Sequence, residues 1–115
     1  MDPFQVMAHP ARRYLVELLA QCEAPAGELA DMLDSAFGIG WPAVSRHLKI
    51  LHRAGFVRVR RDWSNRHYRL DDEAICTLER RVAILRTLWE ERRGDAYFWP
   101  VEPADDPWPR TRLEE

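Results

Sequence analysis

No stretch of this sequence is apolar for long enough to cross a bilayer, which takes about 20 such residues. Its opening residues, MDPFQVMAHP, also lack the basic and apolar regions of a secretory signal. A cytoplasmic protein with no membrane partner is therefore expected. Cysteine is scarce, with only Cys22 and Cys76 in the chain. They lie far apart and without an export signal, so no structural disulfide is expected, and both read as small buried or half-buried thiols. The four histidines do not cluster. His47 and His52 are five apart on different faces of one helical segment, while His9 and His67 are isolated in the sequence, so no metal site is expected. No nucleophile with a paired base, phosphate-binding loop or carboxylate dyad is present. The chain reads as no enzyme, with no catalytic residue and no cofactor. Internal repeats are absent as well, which excludes a solenoid.

What the sequence does contain is unevenly placed. Its 115 residues, 46% of them hydrophobic, suffice for one core. The net charge of −2 conceals segregation. From Trp41 to Leu70 the basic residues are Arg46, Lys49, Arg53, Arg58, Arg60, Arg61, Arg66 and Arg69, and Asp62 is the only acid. The balancing acids precede this segment (Glu17, Glu23, Glu28, Asp31, Asp34) or follow it, from Asp71 through the C-terminal tail. One basic face on an otherwise acidic protein is expected.

Local signals divide the chain into elements. Asp2 and Pro3 cap and start a short helix through about Ala8, and Pro10 starts a second. In the second, Tyr14, Leu15, Leu18 and Leu19 recur at helical spacing, to an end near Cys22. "APAGELADML" predicts a third helix, with Leu29, Met32 and Leu33 inward, and the two glycines of "DSAFGIG" break the pattern. "WPAVSRHLKILHRAG" predicts a fourth, capped at Gly40 and stopped by Gly55. Its Val44, Leu48 and Leu51 form one stripe, which puts Ser45, Arg46, Lys49 and Arg53 on the other side. "FVRVRR" and "RHYRL" alternate as strands around the turn residues "DWSN", giving a hairpin with a basic rim. "DDEAICTLERRVAILRTLWEERR" opens with acids and closes with arginines, as a helix should. Its Ile75, Leu78, Val82, Leu85 and Trp89 make an apolar stripe, widened by Ile84 and Leu88, that exceeds the needs of one small domain and invites a partner helix.

Two helices joined by a glycine-containing turn and followed by a basic hairpin make a winged helix-turn-helix. The fold class is thus mainly α with a small β-hairpin. A DNA major groove is roughly 12 Å wide and admits one helix, whose first turns reach base edges while later ones meet phosphate. Trp41, Ser45, Arg46 and His47 hold the early positions of the fourth helix, and Lys49 and Arg53 the later ones. Arg58, Arg60, Arg61 and Arg66 of the hairpin would contact the backbone or the adjacent minor groove.

"AHPARRYLVELL", "GELADML", "PAVSRHLKILHRAGFV" and "HYRLD" resemble segments of the ArsR/SmtB family of dimeric winged-helix repressors, over about Phe4 to Arg92. The resemblance implies binding to double-stranded promoter DNA as a homodimer, and release on a signal from a small-molecule or protein effector of unknown identity. It also implies dimerisation through the first and last helices. Phe4 and Met7 on the first, and Leu78, Val82, Leu85 and Trp89 on the last, are the candidates.

The sequence departs from the family pattern in three places. The turn before the fourth helix is about four residues longer than usual, Gly40 and Trp41 stand where a serine and a polar residue commonly begin that helix, and the metal ligands of the metal-sensing members are missing. "ELADML" has no cysteine and the last helix no histidine, so the chain resembles the non-metal branch. Residues 1–93 are expected to form the DNA-binding and dimerisation domain and 94–115 a tail rich in proline, aromatics and acids. That tail is read either as disordered or as packed on the dimer through Tyr97, Phe98, Trp99 and Trp108. A thiol switch through Cys22 and Cys76 is set against inert packing, which their positions favour. The rival function is a winged-helix protein-interaction adaptor that does not bind DNA.

Overall fold

The structure, a computed structural model, describes residues 1–92. The expected tail, 94–115, and the domain boundary that precedes it lie outside the described residues. The order of elements is α1 (Pro3–Ala8), α2 (Pro10–Gln21), β1 (Ala24–Pro25), α3 (Ala26–Phe37), α4 (Trp41–Arg53), β2 (Val57–Asp62), β3 (Asn65–Leu70) and α5 (Asp72–Glu90). The strands form one antiparallel sheet in the order β1-β3-β2.

A six-residue helix such as α1 does not persist in water without help. Here a capping box supplies part of it: the Gln5 amide N–H donates to Asp2 Oδ1 (3.0 Å), and the Asp2 N–H donates to Gln5 Oε1 (2.8 Å). The Arg12 side chain supplies the rest from α2. It is buried, and it donates from Nε to the Val6 carbonyl (2.9 Å) and from Nη2 to the Gln5 carbonyl (3.1 Å). These are carbonyls that the end of a short helix leaves unpaired, so Arg12 ties α1 to α2. His9 caps α2, its Nδ1 accepting from the Ala11 N–H (3.1 Å).

The core joins one stripe from each of α1 to α4 with the sheet. Val6, Leu15, Leu29, Leu33, Val44, Leu51 and Phe56 are its most buried large side chains, with Val57 and Tyr68 contributed by the hairpin. Gly55 turns the chain out of α4 with φ +78°, and the Phe56 N–H then donates to the Leu51 carbonyl (2.9 Å), seating Phe56 beneath the hairpin.

The fold differs from the sequence reading in the inward face of α3, where Met32, expected inward with Leu29 and Leu33, is 42% exposed, in the end of that helix, and in the sheet. Helix α3 does not stop before "DSAFGIG" but runs through Phe37, and the chain leaves it at Gly38, whose φ is +68°. Phe37 meets Tyr14 of α2 edge-on, with ring centroids 5.6 Å apart, which anchors the added turn. What looked like a long turn is therefore mostly helix, leaving 38–40 as the link to α4. The sequence reading also lacked β1. Two residues, one of them proline, show no alternation; Ala24 and Pro25 form a strand only because β3 offers Tyr68 and His67 to pair with. Proline is tolerated there because β1 is the sheet edge.

Helix α5 leaves the body after its first turns. Ala74 is its one buried residue, and Leu78 packs partly against the core. Val82, Ile84, Leu85, Leu88 and Trp89 are each 55–63% exposed. No helix among the described residues is long and apolar enough to cross a membrane.

Candidate nucleic-acid interface

Helix α4 starts at Trp41, with Gly40 at its N-cap and Pro42 in its first turn, where a missing N–H costs nothing. Burying Val44, Leu48 and Leu51 fixes its rotation about its own axis. Trp41, Arg46, Lys49 and Arg53 are exposed as a result, and Ser45 is half-buried. No acid lies in the helix, and among the described residues none of its cations has a carboxylate within 4 Å.

His47 takes a different orientation from the one expected for a base-reading residue. Its ring packs on that of His9, with centroids 4.4 Å apart at 52°, and its Nδ1 is buried without a hydrogen-bond partner. Burial, followed by the charges of His9, Arg12 and Arg46, holds its pKa below the ordinary 6.5. The structure thus places the His47 ring between α4 and the start of α2. His9, which the sequence reading isolated, is its partner.

Strand register sorts the hairpin arginines onto two faces. Arg61 pairs with Arg66 in line with the Val59–Tyr68 and Val57–Leu70 pairs, on the side that packs toward α4. Arg58 and Arg60 alternate to the other side, opposite Arg69 and His67. On the first face a groove of about 250 Å³ runs between α4 and the hairpin, lined by Leu48, Lys49, His52, Val59, Arg61, Arg66 and Tyr68. Cations from a helix and from two strands converge there.

The second face is partly neutralised. Arg58 donates from Nε to Asp71 Oδ2 (3.1 Å), and Asp71 also caps α5 by accepting from the Glu73 N–H (3.0 Å). The Glu73 N–H first, and Arg58 second, hold the Asp71 carboxyl below its ordinary pKa. Glu23 borders Arg58, Arg60, His67 and Arg69 on this side, and Asp62 approaches His67 at 3.9 Å. One continuous basic rim, as the sequence suggested, is thus two unequal surfaces.

His52 lines the groove and Trp63 sits at the tip of the hairpin beside it, and neither was among the candidates. His52 follows Lys49 by three residues on the exposed side of α4, a spacing that was available in the sequence. Trp63 was read as turn material. It occupies the first loop position of the hairpin, with φ +58°, and is 97% exposed.

Among the dimerisation candidates, Phe4, Val82, Leu85 and Trp89 are exposed, whereas Met7 and Leu78 already pack partly against the core of their own chain. Arg92 lies over the Trp89 ring at 4.1 Å and donates to its carbonyl (2.8 Å). Both cysteines are free. Cys76 is half-buried, and its pKa is raised above 9.0 by the hydrogen bond to Asp72. Cys22, the C-cap of α2, is exposed, against the expectation of burial. Among the described residues no three His, Cys, Asp or Glu side chains cluster where a metal could sit.

The known proteins that this chain resembles share this architecture. The profile of the bacterial regulatory protein arsR family matches residues 9–59, from the cap of α2 into β2. The biofilm growth-associated repressor of Agrobacterium fabrum (strain C58) is 41% identical over 81 residues, 70% of this chain and 66% of that protein. The chain spans about half to two thirds of the length of the curated relatives it matches. The crystal structure of a "possible transcriptional regulator for arsenical resistance" superposes with a TM-score of 0.64 and 35% identity, over 86% of this chain and 98% of that one. The solution structure of a homodimeric winged helix-turn-helix DNA-binding domain from Mycobacterium bovis gives a TM-score of 0.55 and 25% identity, over 79% of this chain and 81% of that one. The fold is a winged helix-turn-helix, and the chain belongs to the ArsR family of bacterial regulatory proteins.

Proposed function

We propose that this chain is a homodimeric, sequence-specific DNA-binding transcriptional regulator, a repressor whose signal is not a metal, and that it is not an enzyme. The observation that carries this reading is the convergence of Lys49, His52, Arg61 and Arg66 on the groove between α4 and the hairpin, with no acid among its lining residues. Such a surface matches a duplex presenting a major groove beside a phosphate row. Trp41, Ser45 and Arg46 stand at the start of α4 and face base edges, and Arg46 is the candidate for a guanine. Lys49, Arg53, Arg61 and Arg66 meet phosphates, while Arg58 and Arg60 contribute less from the second face. His47 holds the recognition helix against α2 and reads no base.

Helix α5 supplies the dimer seam through Val82, Leu85, Leu88 and Trp89, joined by Phe4 of α1. Pairing is needed because one recognition helix covers one half-site. The non-metal reading rests on "ELADML" and on an α5 without histidine; stabilisation of the protein by zinc in a thermal-shift assay would overturn it. The function itself is tested by fluorescence anisotropy on the DNA upstream of the chain's own gene and on scrambled DNA of equal length, across salt concentrations. Preference for the upstream DNA with affinity falling steeply as salt rises is expected. No binding to either DNA at low salt would leave the protein-interaction adaptor as the reading to pursue.

A further inference from the structure

We infer that Trp63, at the tip of the β2–β3 wing, is a DNA-contacting wedge whose indole enters the minor groove while Arg61 and Arg66 hold the phosphates beside it. The inference rests on the DNA-binding reading above and adds a non-electrostatic, specificity-determining contact to it.

Three features of the free protein are unfavourable, and all fall at one end of one hairpin. Trp63 and Ser64 form a two-residue loop between Asp62 and Asn65. A positive φ at Trp63 but not at Ser64 marks a turn whose first central position favours glycine. A bulky residue held in the left-handed region is strained, and such strain gathers at functional sites. Second, Trp63 is 97% exposed, so the side chain whose Cβ strains the turn gains no burial in return. Third, Arg61 stands directly opposite Arg66 in the ladder, an unfavourable like-charge pair for which no carboxylate partner exists among the described residues.

A structural role explains none of these, since glycine at 63 and one acid at 61 or 66 would relieve them. One ligand relieves the second and third together: a polyanion offering an apolar crevice between two rows of phosphate. The minor groove, roughly 6 Å wide, is such a crevice and accepts the edge of an aromatic ring. Minor-groove proteins place apolar side chains between base steps there, and flexible pyrimidine–purine steps yield most readily. Tryptophan at the tip with arginines on its flanks therefore selects such a step beside the half-site that α4 reads.

The test compares the full-length protein with Trp63→Gly, Trp63→Asn, Trp63→Phe and Arg66→Ala by anisotropy across salt, alongside thermal melts. Asparagine tolerates positive φ and keeps the turn if glycine proves too flexible. The expected result is an unchanged or raised Tm for Trp63→Gly or Trp63→Asn, with affinity reduced on the order of tenfold and the salt slope unchanged. Trp63→Phe should retain most of the affinity, and the loss in the other variants should be larger on DNA with a pyrimidine–purine step at the flank than on DNA without one. Arg66→Ala should instead flatten the salt slope. Unchanged affinity in the glycine and asparagine variants would overturn the inference and assign the indole to another ligand, such as a protein. A flattened slope in those variants would also overturn it, by showing that the effect acts through the arginines. If the parent protein binds no DNA, the DNA-binding reading fails first and takes the wedge with it.

Discussion

Helices α4 and α5 each carry an apolar stripe, yet they use it in opposite ways. The 13-residue α4 buries Val44, Leu48 and Leu51 in its own domain, and its outward face carries Arg46, Lys49 and Arg53. The 19-residue α5 buries Ala74 alone, and its outward face is Val82, Leu85, Leu88 and Trp89. An apolar stripe satisfied within the chain leaves the opposite face free to evolve toward a ligand. An apolar stripe with nothing beneath it must be covered by something else. In the proposed dimer, stability of α4 is intramolecular, whereas that of the α5 seam depends on protein concentration.

The largest effect expected from breaking this contrast is at α5. Leu85→Asp would set a carboxylate in the seam, and sedimentation velocity should show monomers where the parent is dimeric. DNA affinity should drop by roughly 10²–10⁴-fold as two half-sites cease to be bound together. An unaltered sedimentation coefficient would remove α5 from the interface. Leu51→Ala tests the other side of the contrast, since it opens a cavity beneath α4. A loss of about 2–5 kcal/mol in chemical denaturation is expected, with the loss arising inside each protomer and persisting in the Leu85→Asp background.

Arg46→Ala asks whether the polar face of α4 reads sequence. It should cost about 1–3 kcal/mol on specific DNA and much less on scrambled DNA, and equal losses on both would make Arg46 a phosphate contact. The two faces of the hairpin divide the next prediction. Arg66→Ala should reduce the slope of log affinity against log salt by about 1, and Arg60→Ala by less, because Arg66, unlike Arg60, borders the groove with Lys49.

The smallest effect is at His47. Its folded-state pKa lies below 6.5, so in the window between that lowered value and 6.5 the unfolded chain takes up the proton first. Stability conferred by the neutral imidazole is full above that window and declines as pH falls through it. Thermal melts from pH 7.5 to pH 5.5 should therefore show a smaller fall in Tm for His47→Asn than for the parent. An identical fall in both proteins would mean that the His9–His47 contact carries no proton linkage.

Much of this architecture was legible in neighbouring residues. Asp2 with Pro3, Pro42 behind Gly40, Gly55 after Arg53 and Asp71 before α5 mark helix ends by backbone chemistry that acts within a few positions. The spacing of Val44, Leu48 and Leu51 sets the outward direction of Arg46, Lys49 and Arg53 from the sequence alone. Legibility failed where a residue's state depends on a distant one. The last turn of α3 within "DSAFGIG" depends on Tyr14 of α2 meeting Phe37, and the orientation of His47 depends on the His9 ring.

The sequence alone therefore determined the helices, the hairpin, the basic segment and the surplus apolar stripe of α5, because caps, glycine stops and periodicity act over a few residues. The tertiary structure alone decided that β1 exists, that Arg61 and Arg66 face α4 while Arg58 and Arg60 do not, and that His47 turns inward. The β1–β3 pairing and the His9–His47 and Tyr14–Phe37 ring contacts join segments that the linear order keeps apart, whereas the register of the hairpin arginines and the turn at Trp63 are set by how two adjacent strands pair and pack on α4.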